Sequence, residues 1–213
     1  MSAGPVPSPG CFITFEGGEG SGKTTAMRRF AAALADAGTD VLTTREPGSP
    51  TFLGPVLREV LLSPDRPPVQ PWTEALLFAA ERAQHVEDVI RPALAAGQIV
   101  LCDRYVDSSV AYQGAGRGLG VARVQRLSAW ATGRLMPGWT VLLDVPVPVG
   151  LSRRARVGDA DRLDQEALEF HERVREAFLQ RAGREPNRFS VIDATMDPDS
   201  VADAVMSAWQ ARG

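Results

Sequence analysis

The chain has 213 residues, 44% hydrophobic and 23% charged, enough to bury one sizeable core and short for two ordinary domains. Its 26 Asp and Glu against 23 Lys and Arg give a net charge of -3, which excludes the global basic footprint of a polyanion-coating protein. No run approaches the roughly 18 to 20 apolar residues of a membrane span, so the expected setting is cytoplasmic, with neither nucleic acid nor membrane as partner.

The start, MSAGPVPSPG, has no charged or apolar leader pattern; rich in Pro, Gly and Ser, residues 1–10 are expected to form a disordered extension before a single domain over 11–213. The first apolar run, CFITF, reads as a strand and leads through Glu16 into Gly17-Gly18-Glu19-Gly20-Ser21-Gly22-Lys23-Thr24-Thr25, which opens a helix over about 23–37. This fits G-x-x-x-x-G-K-[ST] in the right strand–loop–helix setting. Glycines let successive N–H groups converge on an anion at the positive end of a helix, Lys23 reaches the β and γ phosphates, and Thr24 offers a hydroxyl to Mg²⁺. A nucleoside triphosphate is therefore expected. Of the 23 basic residues, 22 are Arg, and Lys23 is the one lysine.

A second strand, DVLTT, is followed by Arg45, then by helices near 53–62 and 72–95. On the longer one, Trp72, Leu76, Ala79, Ala83, Val86 and Ile90 fall on one stripe and read as a core face. Phe78 and Arg82, four residues apart on a neighbouring flank, pair an aromatic plane with a bidentate donor; they suit a nucleobase as well as a core edge shielded by an Arg stem. The third strand, QIVLC, delivers Asp103, Arg104 and Tyr105 together. A carboxylate for hydrated Mg²⁺ beside a guanidinium for phosphate favours Asp103 as the metal-side acid. Its rival, Asp144 in WTVLLDV, reads as a cap on the turn into Pro146 and Pro148.

A helix over 121–133 precedes WTVLLDV; a charged helical region over 148–182 leads to RFSVID, and a last helix spans 197–211. Five apolar strands alternating with helices predict a three-layer α/β sandwich around a five-stranded parallel sheet, with ligands at the carboxyl ends of the strands. Arg45, Arg104, Arg153, Arg154, Arg156 and Arg162 fall at strand ends or crossovers there. That much fork-like positive charge suits transfer between two phosphate-bearing substrates, whereas a guanine-reading N-K-x-D segment would need a second lysine. Cys11 and Cys102, 91 positions apart, match no metal or redox spacing and read as buried thiols.

Taken together, FEGGEGSGKTT (15–25), TREPG (44–48), LLFAAERAQHV (76–86), DRYVDSSVAYQG (103–114), LLDV (142–145), DRLDQE (161–166) and VIDAT (191–195) resemble bacterial thymidylate kinases in order over nearly all of 11–213. The resemblance implies a P-loop kinase fold, transfer of the γ-phosphoryl group of ATP to dTMP with Mg²⁺, and a homodimer, with which Leu77 is compatible. It implies that Lys23 and the loop amides hold the donor phosphates, that Thr24 and Asp103 serve the metal, and that Arg45 and Arg104 grip the dTMP phosphate. Phe78 would stack on thymine, Arg82 and Ser109 would read its edge, and Pro47 would pack near its methyl. Tyr112 and Gln113 would line the sugar, with Glu19 near the 3'-hydroxyl. An arginine-bearing lid over about 153–165 would supply the catalytic basic residue that the phosphate loop, without an arginine, lacks, with Arg153 preferred over Arg154 and Arg156. One departure stands out: the family's R-E-P-G-G-T continues here as Arg45-Glu46-Pro47-Gly48-Ser49-Pro50-Thr51. Another P-loop nucleoside or nucleotide kinase, or a non-catalytic nucleotide-gated protein, are the competing readings; acceptor-dependent turnover separates them.

Overall fold

The computed structural model describes residues 10–156 and 161–212. All of the expected extension except Gly10, and 157–160 of the expected lid, lie outside the described residues. Five strands, β1 (Phe12–Glu16), β2 (Val41–Arg45), β3 (Ile99–Asp103), β4 (Trp139–Asp144) and β5 (Phe189–Asp193), form one parallel sheet in the order β2-β3-β1-β4-β5. The register pairs Phe15 and Arg45 with Asp103 and Glu16 with Leu142. Strand ends that carry Glu16, Arg45, Asp103 and Asp144 therefore meet along one edge of the sheet.

The central strands are buried on both faces, so their side chains sort by alternation into two cores. Ile13, Phe15, Leu101, Val141 and Leu143 face α1 (Lys23–Asp36) and α9 (Pro198–Gln210), where Phe30, Trp139 and Trp209 stack edge-on and face-on. Phe12, Val100 and Cys102 face the other way. There they meet a π-helical turn at Val86–Ile90 that continues α3 (Pro71–His85), and α4 (Arg91–Ala95) and α6 (Val121–Ala131). Leu142 on that face packs with α2 (Leu53–Leu62) and α8 (Leu168–Arg184).

Several expectations are corrected here. The stripe expected over 72–90 faces inward only in part: Trp72 and Leu76 are exposed and Ala83 is half-buried, while Ala79, Val86 and Ile90 are buried. The inward face instead carries Glu74, Ala75, Phe78, Glu81, Arg82 and His85. Polar groups sit inside because each one is paired, which removes most of the cost of burying it. Leu77, off that stripe, is half-buried and packs against the core beside α2 and α8. The charged region over 148–182 is two helices, α7 (Val147–Ala155) and α8. The sequence pattern also missed a helical stretch after β3, where α5 (Val106–Ser109) widens into a π-helical run at Val110–Gly116. Such wide turns displace side chains from the ordinary helical register and are common at functional sites; this one presents Tyr112 and Gln113. Cys102 is buried as expected, whereas Cys11 is only half-buried.

Candidate active site

The phosphate loop follows β1 directly. Gly17 and Gly20 have positive φ, 143° and 62°. A Cβ at Gly17 would lie 2.4 Å from the Leu143 carbonyl oxygen, and one at Gly20 would lie 2.0 Å from that of Gly150. Only glycine fits either place. Gly150 belongs to α7, and its own Cβ would meet the Glu19 carbonyl oxygen at 2.3 Å, so α7 docks glycine-to-glycine on the loop. Lys23 opens α1 and donates from Nζ to Gly18 O (2.7 Å) and Ser21 Oγ (3.2 Å). Burial, and then the nearby Arg104, lower its pKa to about 8.

Thr24 and Asp103 come together at the mouth of this loop: Thr24 Oγ1 donates to Asp103 Oδ2 at 2.5 Å. A hydroxyl and a carboxylate are the hard oxygen donors that Mg²⁺ takes. Asp144 behaves differently from expectation. It does not cap the turn into Pro146 but accepts from Arg175 Nε and Nη2, both at 2.8 Å, because α8 brings a guanidinium fork opposite the end of β4.

A cleft of about 430 Å³ opens over these strand ends. It gathers sixteen of the nineteen site residues named from the sequence. Glu19, Gly20, Gly22, Lys23, Thr24 and Thr25 line the loop side, and Arg45, Pro47, Phe78, Arg82, Asp103, Arg104, Ser109, Tyr112, Gln113 and Arg153 line the rest. Gly17, Gly18 and Ser21 sit behind or within the loop, outside the cleft lining.

The far wall is held by side chains rather than backbone. Arg82 donates from Nε to Glu46 Oε2 (2.6 Å) and from Nη2 to Ser109 Oγ (3.0 Å) and Tyr105 O (3.2 Å). Its Nη1 is buried with no partner, a donor left available beside Phe78. Glu46 Oε1 is bonded to His85 Nδ1 (2.8 Å), whose Nε2 reaches Thr44 Oγ1 (2.8 Å). Glu46 is thus the buried counter-ion that fixes Arg82, and the sequence pointed to Arg82 without its clamp. Glu81 supplies what the altered 48–52 loop needs: its Oε1 accepts from Ser49 N (3.0 Å) and Gly48 N (3.3 Å), while Thr51 Oγ1 accepts from Gly54 N (3.1 Å).

On the loop side, Arg104 Nη2 donates to both oxygens of Glu19 (3.0 and 3.1 Å), and the guanidinium lies over the Tyr112 ring at 4.9 Å. Tyr112 donates its hydroxyl to Glu19 Oε1 at 2.5 Å. Burial pushes the Glu19 carboxyl up, but Arg104, Lys23 and the Tyr112 hydroxyl more than reverse this and leave it at about 2. Gln113 donates to Glu74 Oε1 (2.8 Å). Glu74 also takes Arg117 Nη2 (3.2 Å) and Arg162 Nη2 (2.5 Å).

Arg162 is therefore corrected: it turns away from the cleft to a buried carboxylate and to Leu61 O (2.9 Å), since Glu74 would otherwise be a buried charge without enough donors. The other arginines named with it go separate ways. Arg153 lines the cleft while donating to Ala194 O (2.5 Å) and Thr195 O (2.9 Å), beyond β5. Arg154 lines the cleft and pairs with Asp164 at 2.9 Å, and Arg156 is exposed. Arg58 was not anticipated. It lines the cleft, donates to Pro47 O (2.9 Å), and has its pKa lowered by burial and then by Arg45. The available signal was a single arginine within the apolar stretch LGPVLREVLL.

Comparison with known proteins gives one consistent answer. The family model described as thymidylate kinase matches residues 15–205. The chain is 57% identical over 195 residues to a thymidylate kinase of Thermomicrobium roseum, covering 91% of both chains. It is 52% identical over 206 residues to one of Deinococcus radiodurans, covering 97% of this chain and 99% of the relative. The crystal structure of a thymidylate kinase from Ehrlichia chaffeensis superposes with a TM-score of 0.78 at 32% identity, covering 95% of this chain and 99% of the other.

Proposed function

The chain belongs to the thymidylate kinase family and is a kinase that phosphorylates dTMP to dTDP with ATP, and from that premise we propose which residues serve each substrate. Lys23 and the amides of 17–25 hold the ATP phosphates. Thr24 and Asp103, a hydroxyl and a carboxylate already within 2.5 Å, would hold Mg²⁺, which when bound offsets negative charge on the phosphates. Arg45 and Arg104 take the dTMP phosphate. Phe78 stacks on thymine, Arg82 and Ser109 bond its edge, and Pro47 packs beside it. Tyr112 and Gln113 flank the sugar, with Glu19, ionised at neutral pH, accepting from the 3'-hydroxyl. Arg153 approaches from the lid to meet charge developing in transfer; an alanine scan of Arg153, Arg154 and Arg156 that leaves kcat intact in every variant would remove that role. Little covalent work falls to the protein in such a reaction, so the rate comes from holding two phosphates in line and countering charge.

The observation that carries the acceptor assignment is the unpartnered, buried Nη1 of Arg82 in a cleft that Phe78 also lines. A buried donor without a partner costs about 1–3 kcal/mol unless a ligand meets it. Phe78→Ala tests the assignment without touching the Arg82 clamp. Loss of base stacking, worth about 1–3 kcal/mol, should raise the KM for dTMP about tenfold or more. The KM for ATP should stay within about twofold; equal rises for both substrates would refute the assignment.

A homodimer is part of the same proposal. Phe52 and Trp130, 75% and 84% exposed, lie with the exposed Val56, Trp72 and Leu76 on α2, α3 and α6 or their ends, large apolar side chains that an interface would cover. Leu76→Glu should shift the sedimenting species to half its mass; an unchanged species would speak against this face. The proposal also takes 11–213 as one kinase domain with its lid near 153–165, working in the cytoplasm. Among the described residues no helix is long and apolar enough to cross a membrane.

A further inference from the structure

Glu16 closes β1 one residue before the phosphate-loop motif, and neither the motif nor the assignments above give it a task. Its side chain is wholly buried, and both oxygens are engaged by the segment after β3. Oε1 accepts from the Tyr105 backbone N–H at 2.8 Å, and Oε2 accepts from the Ser108 hydroxyl at 2.5 Å. Ser108 Oγ in turn accepts from Arg104 Nη1 at 3.1 Å, and the same Nη1 donates to Gly17 O at 2.9 Å. One carboxylate thus holds Arg104 by the backbone that follows it and, through a hydroxyl, by the guanidinium.

The backbone at that point needs holding. Arg104 has φ of 68°, a left-handed conformation shared among the described non-glycine residues only with Arg134, and it costs about 1–2 kcal/mol relative to ordinary backbone. The Arg104 N–H is tied to Phe15 O (3.0 Å), so both peptide groups flanking the strained residue are fixed to the end of β1. The charged and titratable groups facing Glu16 are Asp107 from α5, Arg104 beyond β3 and Lys23 from α1. Asp107 is itself held by Arg181 (2.5 Å) and Arg188 (2.7 Å). A second carboxylate this near makes Glu16 expensive to bury, and packing gives no reason for it, since an apolar side chain would fill a strand end as well.

We infer that Glu16, acting through Ser108, is a positioning residue that sets the Arg104 guanidinium for the acceptor phosphate. This rests on the assignment of Arg104 to that phosphate. Thymidine has no phosphate, so its affinity reports the base and sugar pocket alone, and the difference between dTMP and thymidine reports the guanidinium.

The test is isothermal titration of the intact enzyme with dTMP and with thymidine, for Arg104→Ala, Ser108→Ala, Ser108→Thr and Glu16→Gln. Arg104→Ala should weaken dTMP about tenfold or more, as a charge-assisted hydrogen bond of about 1.5–3 kcal/mol implies, and thymidine by clearly less, through the Glu19 and Tyr112 contacts that Arg104 also makes. Ser108→Ala and Glu16→Gln, which leave those contacts in place, should weaken dTMP about three- to tenfold with thymidine unchanged within about twofold, and Ser108→Thr, which keeps the hydroxyl, should restore dTMP binding. If Arg104→Ala is selective for dTMP while Ser108→Ala leaves dTMP unaffected, weakens both ligands alike, or is not rescued by threonine, positioning by Glu16 is wrong and the role of Arg104 survives. If Arg104→Ala itself shows no selectivity, its assignment falls and the inference with it. Should Glu16→Gln not fold, the Ser108 pair decides.

Discussion

The sides of the cleft proposed for donor and acceptor are built in opposite ways. The proposed donor side is nine consecutive residues, 17–25, which offer backbone N–H groups, one lysine and one hydroxyl; its shape is enforced by glycines that touch neighbouring backbone at Leu143 and Gly150. The side proposed for the acceptor is assembled from three separate segments, 45–47, 78–82 and 104–113, and two of its arginines are aimed by carboxylates. Arg82 is held by Glu46 and Arg104 by Glu19, with Glu16 behind it through Ser108. A contiguous backbone cradle tolerates little change in sequence but needs little support from elsewhere. A side-chain cradle is freer in sequence and depends on counter-ions, of which Glu46 and Glu16 are assigned no substrate contact.

If this division holds, substitutions on the two sides should fail differently. The largest effect belongs to Lys23→Ala, expected to lower kcat about a thousandfold, or about 4 kcal/mol, with dTMP affinity by titration unchanged. A matching loss of dTMP affinity would break the separation. The same residue allows a chemical version, because Lys23 is the one lysine: acylation of it should abolish activity and be blocked by MgATP. Next in size, Glu46→Ala should destabilise the fold by about 3 kcal/mol in urea titration, since it leaves a buried guanidinium unpaired, and should raise the KM for dTMP more than that for ATP. A loss of stability with both KM values unchanged would make Glu46 purely structural.

Glu16 offers a smaller, pH-dependent test of the counter-ion principle. Burial, and then Asp107, raise its carboxyl to about 7. Between the unfolded value near 4.5 and about 7, the folded chain keeps a proton that the unfolded chain has released. This group's contribution therefore makes stability fall as pH rises across that window, by an amount on the order of 1–3 kcal/mol. Glu16→Gln should flatten that slope in Tm between pH 5 and 7; an unchanged slope would contradict it. The smallest effect serves as a control. Asp197 caps α9 by accepting from Asp199 N and Ser200 N, away from both sides of the cleft. Asp197→Ala should cost about 1 kcal/mol of stability and leave both KM values alone, as thermal melts and initial rates would show.

The same contrast explains what could be read from the amino-acid order. Strand–loop–helix around 17–25 is local, so the motif and its fold were legible together, as were the alternating strands that make the parallel sheet. The solitary lysine also makes sense there: a compact ammonium fits within reach of Gly18 O and Ser21 Oγ, where a broad guanidinium would crowd the loop. On the acceptor side, Phe78 and Arg82 were visible as a flank pair four residues apart. Glu46, Glu74 and Glu81 were not, because a buried acid looks like a surface acid until its partners from distant segments are known. That is also why the stripe of Trp72 and Leu76 misled: with Glu74 held inside by Arg117 and Arg162, and Arg82 and His85 by Glu46, Trp72 and Leu76 were left facing out. Arg162 followed the same logic, drawn inward by Glu74.

Initial rates of ADP formation at saturating MgATP across dTMP, dUMP, dCMP, dGMP and thymidine bear most directly on the acceptor cleft as a reader of thymine and of one phosphate. The expected result is the highest kcat/KM for dTMP, with no acceptor-dependent turnover of thymidine, which gives Arg45 and Arg104 nothing to hold. Faster turnover of any other acceptor, or turnover of thymidine comparable to that of dTMP, would contradict it.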